Sequence, residues 1–309
     1  MKQKILNLVR GIAGTRRLLE DTGRLKQSIR DSRYEARRFQ LIEHILHDSE
    51  SGVTDQHYTD HDIIVSLTTY GKRIQDVAFT IESIMQQSMK ANRIVLWLDY
   101  SFEKQRLPQS LLNQQKRGLE IRYCKDIRSY TKLVPSLRSF PDAAIITVDD
   151  DLLYDYDLLE HLINAYLDKP QFIHACRVHR IVLNSHGKPI PYLQWKWKYA
   201  ETGTNTMNFL TGVGGVLYPP GCLDAEVLNE EVFLDICKYA DDVWFYAMAL
   251  KKGTLVNKVR TRDVGSEDYI LNDAVQDMGL SMVNTRGEML NDSQIKAVFT
   301  RYGLYDKLK

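Results

Sequence analysis

Residues 143–151 read Ala143-Ala144-Ile145-Ile146-Thr147-Val148-Asp149-Asp150-Asp151, and this stretch decides how the chain is read. Six uncharged, largely β-branched residues end abruptly, the pattern of a short strand buried on both faces. Three carboxylates follow at once. They repel one another and resist burial, so something cationic should offset them. Hard oxygen donors suit Mg2+ or Mn2+, and such an ion bridges two phosphates. Strand alternation would point Asp149 and Asp151 together and Asp150 elsewhere. The bland alternative is a solvated acidic turn that opens the next helix. Its position beyond a buried parallel strand favours a ligand site, because α/β proteins bind ligands there.

The same strand pattern recurs upstream at Ile63–Thr69 (IIVSLTT), Arg93–Leu98 (RIVLWL) and Leu119–Tyr123 (LEIRY). Helical patterns lie between and after these runs. Residues 74–88 carry Ile74, Val77, Ile81 and Ile84 on one side, 102–117 read as a polar helix, 130–139 as a helix disturbed by Pro135, and 155–167 as an amphipathic helix. Strands alternating with helices predict right-handed crossovers and an α/β fold, a mostly parallel Rossmann-like sheet flanked by helices. Further on, strands are expected at 172–177 and 181–183, a polar aromatic loop at 194–208 and a glycine-punctuated strand at 209–218. Helices are expected at 240–250, led by two aspartates, and at 292–302.

Residues 1–50 differ from the rest. Up to Gln40 there are eleven Lys or Arg against four acids, a local charge of +7. Ile5, Leu8, Ile12, Leu19, Leu25, Ile29, Phe39, Ile42 and Leu46 form a loose helical stripe, and Gly11, Gly14 and Gly23 are expected to split it into two or three helices. Such an arm packs on the main domain or on a second subunit. A basic amphipathic helix also suits a peripheral contact with anionic lipid. Residues 49–61 read as a polar linker.

Composition narrows the function classes. The 309 residues are 44% hydrophobic and 26% charged with a net charge of +1, so no global field points to nucleic acid. Cys124, Cys176, Cys222 and Cys237 form no CxxC pair, which fits reduced, mostly buried thiols rather than a zinc ribbon or disulfide scaffold. No run reaches 18 apolar residues, and the N-terminus lacks the pattern of a secretory signal. The expectation is a cytoplasmic chain, at the inner face of a membrane if the arm binds lipid.

Five segments together resemble bacterial GT-A glycosyltransferases that build capsular or surface polysaccharides, a family-2-like group. They are IIVSLTTYGKR, YTKLVPSLRSFPDA, VDDDLLY, TGVGGVLYPPG and ADDVWFYAMALKKG, within about residues 62–305. TKLVPSLRSFPDAAIITVDDD also resembles the matching part of exostosin-like transferases. The resemblance implies a GT-A domain over 62–309, with a nucleotide-binding half at 62–151 and an acceptor half at 152–309. It implies a donor that is a nucleotide sugar, expected to be UDP-linked, a glycan or lipid-linked acceptor, and Mn2+ or Mg2+.

It also implies site residues. Thr68, Tyr70 and Arg73 at the end of the first strand, and Asp99 at the end of the second, would hold the base, ribose or phosphate. Lys132 would reach the diphosphate. Asp149 and Asp150 would contact the donor, with Asp149 and Asp151 on the metal. Gly214 and Gly215, in the run that includes Gly212, would line the donor-sugar and acceptor pocket. Asp242, with Asp241 as fallback, would act as general base of an inverting reaction. Each has an ordinary structural explanation too: a βα loop, helix caps at Asp99 and Asp241–Asp242, a surface lysine, a tight turn. Trp195, Trp197 and Tyr199 alternate with lysines and offer faces for sugar rings, or one face of a core. His174 and His179 are candidate metal ligands, as are Asn291 and Asp292, because no histidine follows His186 to supply the family's usual late ligand. Two other readings stay open: a nucleotidyltransferase, which would carry an N-terminal glycine-rich phosphate loop, and a non-catalytic scaffold of a polysaccharide assembly complex.

Overall fold

A computed structural model describes residues 2–260, 269–271 and 290–308. Six strands run in one direction: β1 (Ile63–Thr68), β2 (Arg93–Asp99), β3 (Leu119–Cys124), β4 (Ala144–Thr147), β6 (Ile173–Ala175) and β11 (Val256–Lys258). Two more, β8 (Gly203–Asn205) and β10 (Val216–Tyr218), run the other way. The sheet order is β3-β2-β1-β4-β10-β6-β11-β8. The first four strands are mutually parallel, and β10 is inserted antiparallel between β4 and β6. Two small antiparallel ladders complete the set. One pairs β5 (Leu152–Tyr154) with β12 (Tyr269–Leu271), the other β7 (Val178–Arg180) with β9 (Asn208–Leu210).

Alternation along the strands feeds two apolar layers. Ile63, Val65 and Leu67, with Ile94, Leu96, Ala144 and Ile146, pack against α2 (Val77–Met85) and α5 (Leu158–Asp168). Ile64, Val95, Trp97 and Ile145 face the opposite layer. There Tyr130, Leu133 and Val134 meet α7 (Asp241–Lys252), nine of whose twelve residues are buried. The result is the α/β, mostly parallel sheet between helices that the sequence predicts. Strands from both sides of residue 151 share this one sheet.

Several boundaries differ from expectation. The polar helix narrows to α3 (Gln109–Gln115), because Pro108 sits at its N-cap and biases the residue before it away from helix. A three-residue strand, β5, follows the acids directly, too short to show a period, and α5 therefore starts at Leu158. Pro135 falls in the first turn of α4 (Val134–Ser139), where no donor is lost. The strand expected at 181–183 lies three residues earlier, as β7. Between α6 (Glu230–Ile236) and the last helix α8 (Leu290–Tyr302), the predicted helix over 240–250 is present as α7.

The arm is one helix, α1 (Lys2–His47), not two or three. Glycine costs a helix about 1 kcal/mol but keeps its N–H, and no proline interrupts residues 1–47, so the hydrogen-bond ladder runs through. The predicted stripe is also not the packed face. Tyr34, Leu41 and Ile45 are buried, Leu41 against Leu153, while Leu25, Ile29, Phe39 and Leu46 are exposed. Side chains at Ile5, Leu8, Ile12 and Leu19 lie outside the described residues. Arg38 lies over the Phe79 ring and Arg37 donates to Gln86, so the arm's C-terminal third is fastened to α2. Cys176, Cys222 and Cys237 are buried and all four cysteines are free thiols. No helix among the described residues is long and apolar enough to cross a membrane.

Candidate active site

Two cation-centred clusters lie beyond the carboxyl ends of β1 and β4. Both arise because β4 stops at Thr147. Asp149, Asp150 and Asp151 therefore sit in a turn, where strand alternation no longer governs their directions. Asp150 turns inward. It accepts from Thr69 Oγ1 at 2.6 Å and from Arg73 Nη1 at 2.7 Å, and Thr80 Oγ1 donates to its carbonyl at 3.0 Å. Arg73 Nη2 stands 3.3 Å from Asp151. The expected common direction of Asp149 and Asp151 is not what forms: Asp151 shares Arg73 with Asp150, and Asp149 turns away to Lys132.

The second cluster is built from more distant parts of the chain. Lys132 ends a short 3-10 turn (Arg128–Lys132), and its carbonyl is fixed by a one-way chain of donors. Trp97 Nε1 donates to Ser136 Oγ (2.7 Å), Ser136 shares a 2.7 Å bond with Ser66, and Ser66 Oγ donates to the Lys132 carbonyl (2.6 Å). The buried Lys132 ammonium stands 2.9 Å from Asp149 Oδ1 and 3.0 Å from Asp241 Oδ2. Burial disfavours its charge, but Asp149, Asp241 and Asp242 reverse that and hold its pKa well above the usual lysine value. The Asp149 N–H donates to the buried Tyr154 hydroxyl at 2.9 Å, which fixes the turn from below.

Asp241 and Asp242 open α7, where the helix dipole favours negative charge. Asp242 Oδ1 accepts from the Gly212 N–H at 2.9 Å. Burial, then the neighbouring Asp241 carboxylate, push the Asp242 carboxyl up to about 7; Lys132 and the Gly212 N–H oppose the rise. Asp241 is buried, and its Oδ2 lies near Lys132 but accepts no hydrogen bond. Gly212 is where the loop approaches most closely. A Cβ there would stand 2.6 Å from Lys132 Nζ and 3.2 Å from Asp242 Oδ1.

The other predicted residues are placed as follows. Thr68 Oγ1 donates to the Trp97 carbonyl, within the sheet. Tyr70 is exposed beside the Arg73 guanidinium, 5.0 Å from its ring centre. Asp99 caps the turn at Tyr100–Phe102 by accepting from Ser101 N at 2.7 Å. Gly214 and Gly215 both have φ near +90°. They pack inward: a Cβ on Gly215 would meet Leu158 and Leu162 at 3.3 Å, and one on Gly214 would meet Arg177 at 3.4 Å. Of the TGVGG run, Gly212 is the member at the carboxylates.

The histidine candidates are structural. His174 is neutral, with Nε2 facing the Lys169 carbonyl and Nδ1 facing Asn257, and burial pulls its pKa to about 4. His179 accepts from Lys198 N and stacks on Trp197, and burial takes it to about 3. Asp292 accepts from Tyr192 N at 2.7 Å. Trp195 is buried, while Trp197 keeps an exposed edge. Sequence reasoning missed Thr69 and Tyr154. Thr69 adjoins the named Thr68 in TTYGKR; Tyr154 carried no motif.

Among the described residues no three His, Cys, Asp or Glu side chains form a ready-made metal cage. The donor chemistry nonetheless fits a hard cation. Five carboxylates face two cations, Arg73 and Lys132, and one buried carboxylate oxygen accepts no hydrogen bond. Mg2+ needs only one or two protein carboxylates when phosphates and water complete its shell.

No protein-family model matches the sequence, and no curated protein does. Solved structures are similar at low identity. S. aureus TarS 1–349 has a TM-score of 0.46 at 14% identity, over 77% of this chain and 70% of that one. The inositol-1-phosphate CTP transferase from T. maritima gives 0.40 at 12%, over 74% and 98%. A CMP:2-keto-3-deoxy-manno-octonic acid synthetase complexed with CTP gives 0.38 at 13%, over 73% and 100%. At such scores the chain's chemistry has to be read from its own side chains.

Proposed function

We propose that the protein is an inverting glycosyltransferase that moves a sugar from a nucleotide-sugar donor to a hydroxyl of a glycan or lipid-linked acceptor. The observation that carries this reading is the placement of Asp242: it opens α7, accepts from the Gly212 N–H at 2.9 Å and adjoins Asp241, which shares Lys132 with Asp149, and burial with the neighbouring Asp241 lifts its carboxyl to about 7. That is the value a general base needs at neutral pH. In the reaction the acceptor oxygen gives its proton to Asp242 and forms the new bond to the anomeric carbon. The bond from that carbon to the diphosphate breaks on the opposite side, and the nucleoside diphosphate leaves with the electron pair. Asp241 raises the basicity of Asp242, and Lys132 keeps both aspartates and Asp149 in register.

Tyr70 offers an exposed ring for the base, and Asp99 lies at the end of the neighbouring strand for the ribose. Arg73 serves the site by holding Asp150 and Asp151 rather than by meeting phosphate itself. Asp149 would meet Mn2+ or Mg2+ arriving with the diphosphate, and Asp151, which points apart from it, would join only by leaving Arg73; the ion would neutralise charge on the leaving group.

The test is turnover of a panel of sugar nucleotides, with and without Mn2+, by the native chain, Asp151→Ala and Asp242→Asn. Release of nucleoside diphosphate from one donor, metal-dependent and lost in both variants, is the expected result. Pyrophosphate release from a nucleoside triphosphate and a sugar phosphate would replace this reading with nucleotidyl transfer. No turnover, together with no nucleotide-dependent rise in melting temperature, would leave the scaffold.

A further inference from the structure

The outward face of α1 carries an unused seam. Leu25, Phe39 and Leu46 are 62%, 68% and 59% exposed, and Ile29 is 51% exposed. Leu25, Ser32, Phe39 and Leu46 follow one another at intervals of seven residues, and Ile29 and Ala36 repeat at seven between them. That is the a/d spacing of a two-stranded coiled coil, with Leu25, Ser32, Phe39 and Leu46 at d and Ile29, Ala36 and Glu43 at a, so that five of the seven seam positions are apolar. In the sequence Leu18 continues the d series toward the N-terminus. The buried residues of the same helix, Tyr34, Leu41 and Ile45, lie about half a turn away around its axis, at 100° per residue. The helix therefore uses one face for its own domain and presents an apolar stripe in the opposite direction. A single charged solvated face would not keep this register.

We infer that this stripe pairs with the same stripe of a second copy of the chain, forming a parallel, in-register, two-stranded coiled coil. Charge selects the occupant and the direction. One flank of the seam carries Asp21, Ser28 and Glu35; the other carries Lys26, Arg33 and Gln40. Asp21, Lys26 and Arg33 are all exposed. In a parallel pair each flank meets the opposite flank of the other helix, which sets Asp21 against Lys26 of the second copy and Ser28 against its Arg33. An antiparallel pair would set the basic flank against itself. The acidic flank also distinguishes this helix from one lying on anionic lipid, where both edges of the apolar face should be basic. Because the two domains sit on the far sides of their helices, a two-fold axis along the seam brings them into no conflict. The inference is independent of the glycosyltransferase reading.

Sedimentation and light scattering of the full chain between about 1 and 100 µM test it, since association is set by protomer concentration. The native chain is expected to approach twice its 35.8 kDa mass as concentration rises, and Leu25→Glu with Phe39→Glu is expected to remain a monomer with the native circular-dichroism spectrum. Ser32→Cys should cross-link to a dimer on mild oxidation beyond the level of the native thiols, because only a parallel in-register pair brings two copies of residue 32 together. Asp21→Lys and Lys26→Asp should each weaken the dimer, and the double exchange should restore it. A native chain that stays monomeric throughout the range overturns the inference, as does a dimer that survives the Glu substitutions. A monomer that instead binds vesicles containing anionic lipid would assign the seam to a membrane.

Discussion

The two cation-centred clusters differ in their balance. Arg73 faces two carboxylates through its two terminal nitrogens and shares Asp150 with the Thr69 hydroxyl. Lys132 faces three, because Asp242 adds its charge to Asp149 and Asp241. The first cluster carries one carboxylate in excess, and hydrogen bonds from Thr69 and Arg73 to the buried Asp150 hold the turn in place. The second carries two in excess, and burial, then the neighbouring Asp241, raise the Asp242 pKa. The smaller excess, tied down by hydrogen bonds, makes structure; the larger one leaves a group suited to take a proton or attract a cation.

The sharpest way to break this contrast is Asp242→Asn. Loss of a positioned base is expected to cut donor turnover in the presence of acceptor by about 10²–10⁴-fold. The same variant should report on stability. The folded carboxyl is raised from 3.8 to about 7, so its contribution to stability is present at low pH and is lost as pH rises through about 7. Melting curves at pH 5 and pH 8 should show a smaller decline in Asp242→Asn than in the native chain.

Next in size, Lys132→Met removes the cation from three acids. A loss of about 3–5 kcal/mol in denaturant unfolding is expected, the usual result of leaving buried charge uncompensated. The rise of kcat/KM with pH should move to higher pH, since Lys132 holds the Asp242 pKa down. Arg73→Lys is expected to cost less, about 1–3 kcal/mol, because a charge remains but the fork that reaches Asp150 and Asp151 is lost. Its pH profile should keep the native midpoint; a shift like that of Lys132→Met would mean the two clusters act as one.

The smallest effects belong to the glycines, and they separate the clusters' surroundings. Gly215→Ala should destabilise by about 1–3 kcal/mol, from a φ of +90° and contact with Leu158 and Leu162, with kcat/KM close to native. Gly212→Ala should leave the fold nearer native but depress turnover, because its methyl displaces the Lys132 ammonium.

Much of this was legible in the sequence where a pattern was long or abrupt. The uncharged run into Asp149–Asp151 gave β4 and its turn, and the acids ahead of Trp244 gave the start of α7. What escaped notice depended on contacts distant in the chain. That Arg73 would be taken up by Asp150 and Asp151, and Lys132 by Asp149 and Asp241, follows from how β1, β4 and α7 meet, not from any local spacing. The glycine run could be seen as special without revealing which member faces the carboxylates, since a positive φ and a close approach leave the same residue type behind. The arm shows the reverse case: its stripe was visible, but only the position of Tyr34, Leu41 and Ile45 reveals that Leu25, Ile29, Phe39 and Leu46 point away from the domain.

The insertion of β10 between β4 and β6 also has a consequence for the order of assembly. As the chain leaves the ribosome, β4 and β6 are complete long before residues 216–218 arrive. Until then Ala144–Thr147, wholly buried in the finished sheet, forms an open edge rich in β-branched residues, beside a slot with nothing in it. Gly212–Gly215 lead into the strand that fills the slot, but Asp241 and Asp242 lie further on, in α7. The vulnerable edge of the nascent protein is therefore closed before its candidate site is complete.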